Sequence, residues 1–329
     1  MLQIVSAAAS RSSVRVDRCI RQRYKVTGRE TASTVIDGGI ICHHRDWSLM
    51  SALLDGKVAV ITGGVGGIGA ATAQEFIAAG ADVVIADIAD DAGQELAERL
   101  GDHAAYVHAD VTDEASVEAL VAAAVDRFGR LDVMYNNAGA TGDPAAVVDL
   151  SASAFDSLMA LDVRSVLLGH KYAARQFRAQ ASGGSIITTA SVAGIQGGWS
   201  SVGYTTAKHA VLGIMRQAAL ELGPHGIRSN AVAPGVVMTA IQAKAFGVPL
   251  DHAASFNDHI VDRLGSQQPM GRFGLPSDIA RAAVFLASDL SEYVNGVVLP
   301  VDGGASAFTQ SSFADDMTAV TEQFLDSIR

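Results

Sequence analysis

The run Val58-Ala59-Val60-Ile61 passes directly into Thr62-Gly63-Gly64-Val65-Gly66-Gly67-Ile68-Gly69, and from there into an alanine-rich stretch with helical spacing. This junction constrains the fold more than any other feature of the chain. A strand that turns into a helix through so many glycines needs backbone at positive φ, and it needs no side chain above the helix start. The free N–H groups of a helix N-terminus form an anion site, which glycine lets a pyrophosphate approach closely. Two registers are present together, Gly64-x-Gly66-x-x-Gly69 and Thr62-Gly63-x-x-x-Gly67-x-Gly69, and both seat a dinucleotide on the same turn. Gly63, Gly66, Gly67, Ile68 and Gly69 are therefore expected to bind it. A P-loop is excluded, because no Lys-Ser/Thr pair closes the glycine run.

Beyond the turn, short β-branched runs alternate with longer Ala- and Leu-rich stretches. Strands are predicted at 58–61, 83–86, 106–108, 133–135, 185–189, 229–233 and 297–301, and helices at 67–79, 91–100, 114–128, 153–180, 204–222 and 277–287. The helical stretches are long enough to cross over between parallel neighbours. The strands lack polar alternation, as expected of a sheet covered on both faces. The fold class is therefore α/β: a doubly wound, Rossmann-type parallel sheet of seven strands in three layers. The main departure from the alternation is 239–275, rich in Gly, Pro, His and Asp, which is expected to form a lid.

Composition sets the outer limits. With 49% hydrophobic and 18% charged residues, the chain as a whole is too apolar to be disordered, and no apolar run approaches the roughly 18 residues of a membrane span. A net charge of -11 argues against nucleic acid as a partner. The charge is uneven: residues 1–49 hold eight of the 24 basic residues and four of the 35 acidic ones. The two compositions meet at Met50-Ser51-Ala52-Leu53-Leu54-Asp55-Gly56-Lys57, which reads as the natural start of a single Rossmann-type domain over 50–329. Residues 1–49 are expected to be a disordered extension or a misassigned translation start, with a transit segment or functional arm as the alternative. Both cysteines, Cys19 and Cys42, fall in that stretch, too few for a disulfide framework or a four-thiolate zinc site. A reducing, cytoplasmic compartment is expected. Cys42-His43-His44 lacks a further ligand cluster, so no metal is assigned.

Tyr204 and Lys208 stand four apart on one helix face. A free phenol has a pKa of about 10, so a phenolate near neutral pH needs roughly 4 kcal/mol of stabilisation. A lysine ammonium and the positive nicotinamide of an oxidised cofactor are the two charges that can supply it. Ser191 leaves the fifth strand 13 residues before Tyr204, which sets its hydroxyl at the C-terminal sheet edge where such cofactors lie. Asp87 ends the second strand, with Ile88 after it, 18 residues beyond Gly69; a carboxylate there accepts both ribose hydroxyls of NAD and repels a 2′-phosphate. Asp110-Val111, after the third strand, are expected to hold the adenine edge.

Taken in order, these motifs resemble the short-chain dehydrogenase/reductases over residues 55–305. The second glycine register is that family's variant. Asn136-Asn137-Ala138-Gly139 follows the fourth strand, Asn230-Ala231-Val232-Ala233-Pro234-Gly235 the sixth, and Val301-Asp302-Gly303-Gly304 closes the pattern. The resemblance implies that Tyr204 is the general acid or base, that Lys208 lowers its pKa and holds the nicotinamide ribose, and that Ser191 hydrogen-bonds the substrate oxygen. It implies that Asn136 supports the sheet beside the cofactor, with Asn137, Ala138 and Gly139 in the same turn, and that Pro234, Gly235, Val237 and Thr239 hold the carboxamide. The family usually carries Asn where this chain has Asp162; that residue completes a proton relay through water and lysine, and Asp162 is assigned to the same catalytic position. The resemblance also implies a homotetramer built on helices 153–180 and 204–222.

The expected reaction is reversible hydride transfer between NAD and a secondary alcohol or ketone. Ser191, Ala193, Trp199 and Tyr204 are expected to meet the substrate, together with 140–144 and the lid residues Ile241, Ala245, Phe246, Val248 and Leu250. Their apolar character points to a cyclic or hydrophobic alcohol, such as a terpenoid, steroid or alicyclic compound. Two alternatives are an NADPH-dependent 3-oxoacyl or carbonyl reductase, against which Asp87 stands, and a non-catalytic dinucleotide sensor, against which Ser191, Tyr204 and Lys208 stand. His170 and His209 are read as surface or interface residues.

Overall fold

The computed structural model describes residues 20–26, 29–36, 40–42, 52–239, 241 and 248–307. The chain divides into two compact units, Met1–Met50 and Ser51–Arg329. In the first, β1 (Ile20–Val26), β2 (Arg29–Ile36) and β3 (Ile40–Cys42) pair antiparallel in the order β1-β2-β3. Thr31, Thr34, Val35 and Ile36 are β-branched and favour extended backbone.

The second unit is built on seven strands: β4 (Val58–Thr62), β5 (Asp82–Asp87), β6 (Ala104–His108), β7 (Val133–Asn136), β8 (Gly184–Thr189), β9 (Ile227–Pro234) and β10 (Val298–Val301). They form one all-parallel sheet in the order β10-β9-β8-β7-β4-β5-β6. The doubly wound sheet is thus confirmed, with each strand end within two residues of its predicted position. Both faces are apolar, and side-chain alternation divides them between two layers of helices. Ala59, Ile61, Val83, Ile85 and Tyr135 point to one face, where α1 (Gly67–Ala78), α2 (Asp90–Leu100) and α8 (Pro276–Ala287) bring Phe76, Leu96 and Ile279. Val60, Val84, Met134 and Ile186 point to the other, under Leu120 of α3 (Glu114–Phe128) and Phe177 of α5 (Ser165–Gln180). Val211, Leu212 and Met215 of α6 (Val202–Leu222) close a third cluster with Val166 and Ala231. The direction in which strands are added reverses between the parallel neighbours β4 and β7, so the crevice of a doubly wound sheet opens at their carboxyl ends.

The helix predicted over 153–180 is interrupted. It comprises α4 (Ala152–Met159), a π-helical turn Ala160–Arg164, and α5. Residue spacing alone could not reveal this extra residue, because a π turn preserves the apolar face on either side of it. The lid contains α7 (Ala253–Leu264) and a short 3₁₀ turn Leu250–His252. Its base is tied by a bridge between Val237 and Gly274, while Ala245 and Phe246 lie outside the described residues.

His209 is exposed as expected, but His170 is buried, which corrects its assignment to the surface. Its Nδ1 lies 2.8 Å from the Val166 carbonyl oxygen and its Nε2 3.0 Å from Ser229 Oγ, so both ring nitrogens are engaged by uncharged groups. Burial pulls the imidazole down to about 4, against a backbone hydrogen bond that works the other way. An unfolded histidine titrates near 6.5, so the unfolded chain takes up a proton that the fold refuses between these values. Stability is therefore expected to be unaffected by His170 above pH 6.5 and to fall by roughly 3 kcal/mol as the pH drops to 4. Urea unfolding across that range, with His170→Asn as the non-titrating reference, should show the reference losing less stability on acidification.

Candidate active site

The glycine turn behaves as its sequence requires at two points. Gly63 adopts φ +61°, which favours glycine, and a Cβ on Gly69 would stand 2.2 Å from the Gly63 carbonyl oxygen. The close approach brings α1 onto the end of β4. Its N-cap, Gly66, offers no side-chain cap, and its first turn carries no acid, so the helix N–H groups are left for an external anion. Thr62 Oγ1 accepts the N–H groups of Asn137 and Ala138 at 3.0 and 3.1 Å, and Asn137 Nδ2 donates to the carbonyls of Thr62 and Gly63. The β4 and β7 turns are thereby sewn together across the crevice.

A single cavity of about 680 Å³ runs along these turns. Its wall includes every residue named for the cofactor: Gly63, Gly66, Gly67, Ile68 and Gly69 of the turn, Asp87 and Ile88 at the end of β5, and Asp110 and Val111 after β6. It continues along Asn137, Ala138 and Gly139, past Tyr204 and Lys208, to Pro234, Gly235, Val237 and Thr239. Asp87 is fixed at the rim: Oδ2 accepts the Val65 N–H at 3.2 Å and Oδ1 the Ile88 N–H at 2.8 Å. Asp110 is oriented by the Thr112 hydroxyl and N–H, hydrogen bonds that hold its carboxyl below the usual carboxylate range. A bare helix start, a glycine cradle and a fixed carboxylate at the far rim together fit a nicotinamide adenine dinucleotide.

The residues expected to carry the chemistry lie at the other side of the cavity. Ser201 caps α6 through the Tyr204 N–H, which fixes the phenol in the first helical turn. Lys208, one turn on, is buried, with Nζ 5.3 Å from the centroid of the Tyr204 ring. Nζ donates to the Thr189 carbonyl at 3.2 Å and forms an ion pair with Asp162 Oδ2 at 3.0 Å. Asp162 is 0% exposed in the π turn; Oδ1 accepts the Ala140 N–H at 2.9 Å, and Gly139, lacking a Cβ, lies against the carboxylate. Burial works against the Lys208 ammonium and is the largest single influence on it, but the charge and hydrogen bond of Asp162, together with the neighbouring Tyr204 and Tyr135, hold the amine above the ordinary lysine range.

Three expected contacts fall elsewhere. Ala193 is buried away from the cavity and its N–H donates to Ser191 Oγ at 3.1 Å, which leaves the serine proton available for another acceptor. Trp199 is half-buried and does not line the cavity. Asn136 is buried beside His170 and supports the sheet from below rather than passing along the cofactor. Conversely, Leu161 and Thr189 line the cavity without having been singled out. Thr189 was legible only as the end of a strand, and Leu161 is turned inward by the π turn.

Known proteins agree with this geometry. Residues 63–306 match the family model described as enoyl-(acyl carrier protein) reductase. The chain is 46% identical to momilactone A synthase of Oryza sativa subsp. japonica, covering 78% of this chain and 93% of that protein. It is 42% identical to (+)-borneol dehydrogenase 1 of Salvia officinalis, over 79% and 97% respectively. The crystal structure of levodione reductase matches with a TM-score of 0.70 at 35% identity, over 78% of this chain and 100% of that one. The chain belongs to the short-chain dehydrogenase/reductase family, whose oxidoreductases use a nicotinamide dinucleotide.

The buried ion pair is the main energetic commitment of the site. Lys208→Met would leave Asp162 charged and unpaired, and is expected to destabilise the fold by roughly 3–5 kcal/mol. Adding Asp162→Asn should restore much of that loss, so a double-mutant cycle in urea should show strong coupling.

Proposed function

We propose that this protein is an NAD-dependent dehydrogenase of cyclic or otherwise hydrophobic secondary alcohols, with oxidation as its cellular direction. The observation that carries the reading is the shared cavity: Ser191, Tyr204 and Lys208 line the same wall as the glycine turn, and Asp87 stands at its far rim. When bound, the nicotinamide supplies the hydride acceptor. Tyr204 takes the hydroxyl proton at Oη while the carbinol hydrogen departs with its electron pair and the C–O bond becomes C=O. Ser191 Oγ, oriented by the Ala193 N–H, donates to the substrate oxygen as charge develops on it. Lys208 sets its ammonium 5.3 Å from the centre of the phenol ring and in the wall of the same cavity. Asp162 belongs to the site through its ion pair with Lys208, as a positioning residue.

Asp87 supports NAD over NADP, because a carboxylate at the ribose end repels a 2′-phosphate. Leu161, Val237 and Ile241 give the cavity an apolar wall, and the relatives include a borneol dehydrogenase. Both support a terpenoid or similar alicyclic alcohol as substrate. A homotetramer built on α5 and α6 belongs to the same reading. Two cysteines in the whole chain fit a cytoplasmic setting.

NAD reduction measured over cyclic, terpenoid, steroidal and aryl alcohols should identify a cyclic alcohol, with kcat/KM for NAD at least about tenfold above that for NADP. A preference for NADP would reverse the cofactor assignment. Tyr204→Phe should abolish turnover while dinucleotide binding, followed by fluorescence, is retained; a variant still active would remove Tyr204 from the chemistry.

A further inference from the structure

The charge on Lys208 is not free. Its ammonium lies 3.0 Å from Oδ2 of Asp162, a carboxylate that is wholly buried, and among the described residues that oxygen has no other hydrogen-bonding group to share its charge. We propose that Asp162 is a built-in counter-ion that cancels Lys208, so that ionisation of Tyr204 is governed by the positive charge that oxidised nicotinamide brings into the cavity. The base is then switched on by the cofactor form that needs it and left protonated with the reduced form, whose ring is neutral. This rests on the assignment of Tyr204 as the base.

The surroundings leave few other charges to consider. Tyr204 faces the ammonium from α6, Asp162 from the π turn and Tyr135 from β7. The Tyr135 phenol is fully buried, hydrogen-bonded to Thr189 Oγ1, and pushed up to about 12 by its burial, so it stays neutral at working pH. Residues 137–140 and 189–194, which wrap the pair, carry hydroxyl, amide and carbonyl groups but no ionisable side chain. An ammonium with an anion 3.0 Å away presents a dipole to the phenol rather than a net charge. Removing the anion lowers the proton affinity of both neighbours, so the sign of the effect is the same whichever of them titrates. Asp162→Asn has nearly the same shape and keeps an oxygen for the Ala140 N–H, so it removes charge with little change in packing.

Two measurements test this. Proton uptake or release on dinucleotide binding, read by calorimetry in buffers of different ionisation enthalpy, requires no turnover. The wild-type protein should release protons on binding NAD and release markedly fewer on binding NADH; equal release with both would overturn the proposal without any variant. In Asp162→Asn, the pH of maximal release should move down by about one unit, and the acid limb of kcat/KM for alcohol oxidation should move with it. Coincident profiles for the variant and the wild type would also overturn it. Tyr204→Phe separates the two levels of inference: if it abolishes both turnover and NAD-linked release, the base is correctly assigned and only the role of Asp162 is at stake. If it leaves both in place, the base itself is misassigned.

Discussion

The approach of Gly69 to the Gly63 carbonyl is the contact on which the architecture of the site depends. Because no Cβ intervenes, α1 begins directly above β4, and its unsatisfied N–H groups open at the point where the sheet changes winding direction. A phosphate site and the carboxyl ends of the central strands then coincide by construction. The Thr62 hydroxyl extends the same logic by fixing the β7 turn against the β4 turn, so that the two halves of the crevice keep one spacing. The remaining residues of the site are positioned relative to this seam.

The two ends of the cavity use opposite electrostatic strategies. At the rim, Asp87 is partly exposed and held by backbone N–H groups, so its charge remains available to a polar ligand. At the reacting end, charges are buried and paired, and the low dielectric makes each one strongly felt by its neighbours. A buried ion pair adds little net stability compared with apolar packing. What it supplies here is a fixed position for the amine, reinforced by the Thr189 carbonyl and by a loop that glycine allows to lie against the carboxylate.

Much of this was legible in the residues themselves. The strand runs, the glycine turn, Asp87 and the Tyr204–Lys208 spacing are local signals, and local signals survive in one dimension. The errors came from properties that only packing defines. His170 looks like any polar residue on a helix, yet the fold turns it inward between Val166 and Ser229. Trp199 and Ala193 sit in a segment whose direction is set by a 3₁₀ turn after Ser191, and their neighbourhood to the serine did not place them in the cavity. The π turn was hidden because helical periodicity resumes on either side of it, and with it went the inward turn of Leu161.

That π turn ties chemistry to chain length. Each α-helical residue advances the backbone by about 100°, and the π turn absorbs one residue beyond that repeat, so losing one between Ala160 and Arg164 would close it into plain α-helix and change which side chain faces Lys208. Substitutions in this segment act one side chain at a time, whereas a deletion would displace the carboxylate while leaving the outer face of α5 in register. A one-residue deletion here would therefore mark a lost site within an otherwise intact fold.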